Sequence, residues 1–142
     1  MKDIVKLENT LRISFHDSAL LQQALVHRSY LNENPDFELR SNERLEFLGD
    51  SMLGAVIAGK LYMDYPDLSE GDMTRLRSAL VRRETLSRIA RQLNLEDYLY
   101  LGRGEESSGG RTRQSILADA LEAVIGAVFL DQGFGVCRGL IL

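Results

Sequence analysis

Ile116-Leu-Ala-Asp-Ala-Leu-Glu-Ala-Val-Ile-Gly-Ala-Val-Phe-Leu130 is apolar on every side of a helix except at Asp119 and Glu122. A run this long, without proline or polar/apolar alternation, reads as a buried helix rather than a strand. Its two acids stand at i and i+3, and so share a face. The segment Glu43 to Tyr65 has the same character. Leu45, Phe47, Leu48, Met52, Leu53, Val56, Ile57, Leu61 and Tyr62 cover most of its helical surface, which predicts a central element. Yet it carries Glu46 and Asp50 at i and i+4, with Glu43 one turn before Glu46.

Outward from these two segments the chain continues to read as helix. Its only prolines, Pro35 and Pro66, interrupt no long periodic stretch, and alternating runs of Val, Ile and Thr are missing. The class is all-α, with helices expected over about 2–10, 17–29, 42–64, 70–80, 83–93, 112–131 and from 134 onward. Asp17 or Ser18, Ser41 or Asn42, and Ser69 are candidate N-caps. The polar, glycine-rich stretch from Leu101 to Thr112 reads as a mobile surface loop. No repeat or linker divides the sequence, so one domain spanning 1–142 is expected.

A chain of 142 residues, 44% apolar and 27% charged, has the composition of an ordinary globular protein with one sizeable core. No stretch suggests a membrane span or a signal peptide, which predicts a cytoplasmic protein without a membrane partner. Cys137 is the only cysteine, so an internal disulfide and a multi-cysteine zinc site are excluded, and a buried bystander thiol is expected. The net charge of −4 hides an asymmetry. Asn32 to Asp72 holds ten acids against Arg40, Arg44 and Lys60, whereas Met73 to Leu95 carries Arg75, Arg77, Arg82, Arg83, Arg88 and Arg91 against Glu84 alone.

Burying an ionised carboxylate without a partner costs several kcal/mol, so two acid pairs in core-forming helices need compensation. Each pair could meet an arginine. Should the two helices pack face to face, four negative charges converge, and each like-charge pair at ~4 Å costs on the order of 4 kcal/mol at an effective dielectric of 20. A divalent cation removes that penalty. With only oxygen donors at hand, Mg²⁺ fits, with Mn²⁺ as substitute, and carboxylate-held Mg²⁺ points to phosphoryl chemistry.

The segment Asn42-Glu-Arg-Leu-Glu-Phe-Leu-Gly-Asp-Ser51 resembles the signature of the ribonuclease III family. Ala24-Leu-Val-His-Arg-Ser-Tyr30, Glu70-Gly-Asp-Met-Thr-Arg-Leu-Arg77 and Leu117-Ala-Asp-Ala-Leu-Glu-Ala-Val-Ile-Gly-Ala127 resemble its other blocks, in the same order. The resemblance implies a helical, homodimeric endonuclease domain of the bacterial type that cuts double-stranded RNA, leaving 5′-phosphate and 3′-hydroxyl ends with short 3′ overhangs. It implies that Glu46, Asp50, Asp119 and Glu122 are the metal-binding and catalytic carboxylates. Glu43 and Glu70 match acids lining the cleft, and Phe47 matches an aromatic that inserts into the partner subunit, although plain core packing is its simpler reading.

Nothing here resembles the basic double-stranded-RNA-binding domain that usually follows, and the apolar ending Val136 to Leu142 suggests a shortened chain. Arg75, Arg77, Arg82 and Arg83, with Arg111 and Arg113 near the predicted loop, could contact the RNA backbone or form an ordinary solvated face. His27 reads as a hydrogen-bonded structural residue. Rival functions are a catalytically weak dimeric RNA-binding scaffold, an all-α Mg²⁺-dependent nucleoside-triphosphate pyrophosphohydrolase, and a metal-independent ribonuclease using His16 and His27.

Overall fold

The computed structural model describes residues 3–142. Helix α1 (Ile4–Leu11) begins where the Asp3 carboxylate accepts the Lys6 N–H at 3.1 Å, and it stops at Arg12 in a left-handed conformation. Then follow α2 (Ser18–Ala24), α3 (Arg28–Glu33), α4 (Glu43–Asp64), α5 (Glu70–Leu80) and α6 (Arg83–Gln92). A 3₁₀ turn, Leu95–Tyr98, leads to α7 (Arg103–Ser107), and a second, Gly110–Thr112, leads to α8 (Gln114–Gln132) and α9 (Phe134–Ile141). Asp17 and Ser69 cap α2 and α5 as their side-chain chemistry predicts. At the start of α4 the roles divide: Ser41 Oγ accepts the Glu43 N–H, while the Asn42 amide turns inward to the carbonyl of Ala24.

Helix α8 is the axis of the molecule, its residues from Ile116 to Val128 buried at every position but Asp119. Leu21 and Ala24 of α2, Leu45 and Leu53 of α4, Leu86 and Ala90 of α6 and Cys137 of α9 close around it, and Leu7 and Leu11 of α1 join the same core, whereas α5 contributes no buried residue to it. The Cys137 thiol is buried, as expected. Among the described residues no helix is long and apolar enough to cross a membrane.

Helices α4 and α8 cross in backbone contact. A Cβ added at Gly49 would lie 1.6 Å from the Glu122 carbonyl oxygen, and one at Gly126 would lie 2.3 Å from the Leu45 carbonyl oxygen. Only glycine fits at both positions, because the obstacle is main chain and cannot rotate aside.

Three expectations need correction. The helix expected over 17–29 is broken, because Leu25 to His27 leave the helix for long-range backbone partners: Tyr100 N–H donates to Leu25 O at 2.9 Å, His27 N–H to Tyr100 O at 3.0 Å and Asn42 N–H to Val26 O at 2.8 Å. The stretch 101–112 is not a loose loop. Glu33 accepts the N–H of Arg103 at 2.9 Å and of Gly104 at 3.3 Å, Ser29 Oγ accepts that of Gly102, and Arg111 bonds Glu106 and the Leu99 carbonyl. Helix α4 is central only in part: Leu45, Gly49, Leu53, Val56 and Leu61 are buried, but Phe47, Tyr62 and Met63 are 73%, 70% and 74% exposed. The start expected at residue 2 lies outside the described residues.

The crossing yields a paired prediction. Gly49→Ala or Gly126→Ala should lose about 3 kcal/mol or more in urea unfolding, since the helices themselves must separate. Gly54→Ala, where a Cβ meets nothing within 4 Å, should be neutral or gain about 0.5–1 kcal/mol by stiffening the unfolded chain.

Candidate metal centre

The glycine crossing determines where the acids go. Glu46 and Asp50 flank Gly49 along α4, and Asp119 and Glu122 occupy the two turns before Gly126 along α8. Close approach therefore turns the two acidic faces toward each other. Glu46, Asp119 and Glu122 each present a carboxylate oxygen within 4.8 Å of the other two. Asp50 lies at the exposed edge, and its carboxylate hydrogen-bonds to the carboxyl of Glu122. Glu122 is the deepest member, only 6% exposed.

Among the described residues no arginine or lysine forms an ion pair with this cluster. The pairs that do form are Lys60–Asp64, Arg75–Asp72, Arg82–Glu84, Arg111–Glu106 and Arg113–Glu105, and none includes the four acids. The arginine explanation of the acid pairs therefore fails. Arg83, exposed at the start of α6, acts on Glu46 and Asp119 only from longer range.

Burial dominates instead. It raises Glu46 and Asp119 above the ordinary carboxylate range, with neighbouring acids adding to it. Glu122 is pushed up to about 9, first by burial and then by Asp50, Glu46 and Asp119. At neutral pH it keeps its proton, and its single O–H has the carboxylates of Glu46 and Asp50 within reach as acceptors. Convergent oxygen donors, like-charge crowding and the lack of a paired cation together fit a hard divalent metal ion, which the cluster could bind.

The other candidate residues are distributed unevenly. Glu43 is exposed, accepts a hydrogen bond from Ser41 Oγ at 2.9 Å, and lines a groove of about 430 Å³ with His27, Arg83 and Asp119. Glu70 is not part of it. With Tyr62, Met73 and Arg77 it lines a separate groove at the far end of α4. Arg75 pairs with Asp72, and Arg82 with Glu84 at 3.2 Å. Arg111 is committed to Glu106 and to main-chain carbonyls, and Arg113 bonds Glu105 at 2.8 Å and Ser108 O at 2.9 Å. Phe47 points away from the core beside an apolar groove of about 600 Å³ lined by Leu20, Leu45, Leu48 and Leu130.

Sequence reasoning missed Gly49, Gly126 and the inward role of Asn42. The glycines were visible one residue and one turn from the acids, but nothing local marks a crossing point. Asn42 is buried because its amide joins the α2 end to α4.

The sequence matches a family model described as Ribonuclease-III-like over residues 17–142. Curated relatives called ribonuclease 3 are 53% identical in Dehalococcoides mccartyi (strain CBDB1), over 99% of this chain, and 52% identical in Shewanella baltica (strain OS155), over 100% of it. The chain spans 60% of the length of each. Two structures of the nuclease domain of ribonuclease III from Campylobacter jejuni superpose with TM-scores of 0.90 and 0.89 at 41% and 42% identity, covering 97% and 99% of this chain and 92% and 91% of those. The first is described as flexible in a region involved in dimer formation.

The protonated cluster predicts a pH dependence of stability. A carboxyl whose pKa is raised on folding binds more protons in the folded state, so stability falls as pH rises from its unfolded toward its folded pKa. Without divalent metal, Tm should decline between about pH 4.5 and 9, where the unfolded chain has released the proton that folded Glu122 keeps. Glu122→Gln should flatten that decline, and Mg²⁺ should raise the Tm of the unaltered chain at pH 8 but not that of the variant. A Tm that is level across this range without metal refutes the account.

Proposed function

The chain belongs to the ribonuclease-III-like family, and from that premise we propose that it is a divalent-metal-dependent endonuclease that hydrolyses double-stranded RNA as a homodimer. The observation that supports this most is the convergence of Glu46, Asp119 and Glu122 without a paired cation. Asp50 completes the set from the exposed edge. These four would hold Mg²⁺, or Mn²⁺ in its place, and the metal when bound supplies electrophilic stabilisation of the phosphate oxygens and acidifies water.

The chain's own residues do the rest. To hold a cation Glu122 would have to release its proton, which would couple metal affinity to pH. Asp50 and Glu43, both exposed, meet solvent and substrate at the rim. Exposed Arg83 offers positive charge to the backbone of the duplex beside the acids. Water attack on phosphorus with departure of the 3′ oxygen gives 5′-phosphate and 3′-hydroxyl ends.

Association follows from the outer face of α4. Phe47, 73% exposed next to an apolar groove on the same subunit, has the arrangement of a self-complementary contact, in which each aromatic enters the partner's groove. Two clusters then serve two strands, and their offset leaves short 3′ overhangs. Glu70, apart from the cluster within one subunit, would line a catalytic cleft only if the dimer brought the partner's acids to its groove.

Two experiments test this reading. With duplex RNA, low salt and Mg²⁺, the unaltered chain should cleave, EDTA should abolish cleavage, and Asp50→Asn and Glu122→Gln should each lower the rate by at least about 100-fold without unfolding. Cleavage undiminished in EDTA would refute the metal mechanism, and binding without cleavage would favour a scaffold. For the dimer, Phe47→Glu should give monomers in light scattering. A dimer that survives the change removes Phe47 from the interface.

A further inference from the structure

We propose that His27 donates its Nε2–H to a phosphate oxygen of the RNA backbone flanking the scissile bond, in the groove it shares with Asp119 and Arg83. This rests on the ribonuclease reading and adds a substrate-contacting residue to it.

The ring is held on one side. Its Nδ1 accepts the Ser29 N–H at 3.1 Å and lies 2.8 Å from Ser29 Oγ. That oxygen already accepts the Gly102 N–H at 2.9 Å, so its own hydrogen is free to point at Nδ1. With Nδ1 accepting, the ring hydrogen of the neutral imidazole resides on Nε2. The main chain is fixed as well, through the His27 N–H to the Tyr100 carbonyl.

Burial lowers the imidazole below its ordinary range, and Arg28 adds to this, while Glu105, Glu43 and Asp119 oppose it. His27 therefore serves as a neutral donor. Nε2 has no partner among the described residues and is not enclosed by the core, so it opens on the groove. Asp119 belongs both to the carboxylate cluster and to this groove, so a strand with its scissile phosphate on the carboxylates that continues along the groove brings its next backbone oxygens to Nε2–H and the guanidinium of Arg83. Capping α3 needs only an acceptor at the Nδ1 position, which a shorter side chain provides. The second nitrogen is surplus to that role.

The two amides separate the roles. His27→Asn keeps an acceptor for the Ser29 N–H and loses the outer donor, whereas His27→Gln places an amide near the Nε2 position and weakens the cap. In single-turnover cleavage of duplex RNA, His27→Asn should be about tenfold slower with unchanged Tm and metal binding, and His27→Gln should retain most of the rate. A neutral methylphosphonate at the flanking phosphate should slow the unaltered chain but add nothing to the defect of His27→Asn. His27→Asn cleaving at the unaltered rate, or an equal methylphosphonate penalty in both proteins, overturns the proposal while leaving the ribonuclease reading intact. No cleavage by the unaltered chain overturns both.

Discussion

Contact between two helix backbones at Gly49 and Gly126 sets the spacing from which the site and the core both follow. Ordinary side chains hold packed helices 8–10 Å apart, and their absence at the crossing lets main chain meet main chain. The acids stand within a turn or two of those glycines, so their spacing is inherited from the packing of the core. A change that widened the crossing would loosen the carboxylates before it touched any of them.

That proximity opposes stability. Glu122 is buried among other acids and keeps its proton at neutral pH, an arrangement that no paired arginine relieves. The surroundings supply the rigidity that holds it. Asn42 ties the end of α2 to the start of α4, the Val26–Tyr100 bridge joins two distant segments, and Glu33 anchors the turn into α7. A site that is unfavourable in isolation and firmly held is the usual signature of function placed on a stable frame.

Helix α4 has two faces with different destinations. One meets α8 and carries the acids. The outer face shows Phe47 and Tyr62 to solvent, Met63 is exposed where the end of the helix runs past the core, and α5 adds no buried core residue. Apolar residues in this number on the outside of a small domain are better suited to association than to water.

Local features were legible from residue order. Apolar periodicity established the helices, Asp17 and Ser69 marked two of their starts, and the spacing of Glu46 with Asp50 and Asp119 with Glu122 placed each acid pair on one helix face. Other features emerge only from the folded chain: the break at Leu25 to His27, the ordering of residues 101–112, the outward turn of Phe47, the separation of Glu70 from the cluster and the tautomer of His27. Most of these depend on a partner far along the chain, such as Tyr100 for His27 or Glu33 for Arg103, as the crossing at Gly49 depends on Glu122. Helical periodicity records which face of a segment is apolar, but it carries no information about which backbone that face will meet.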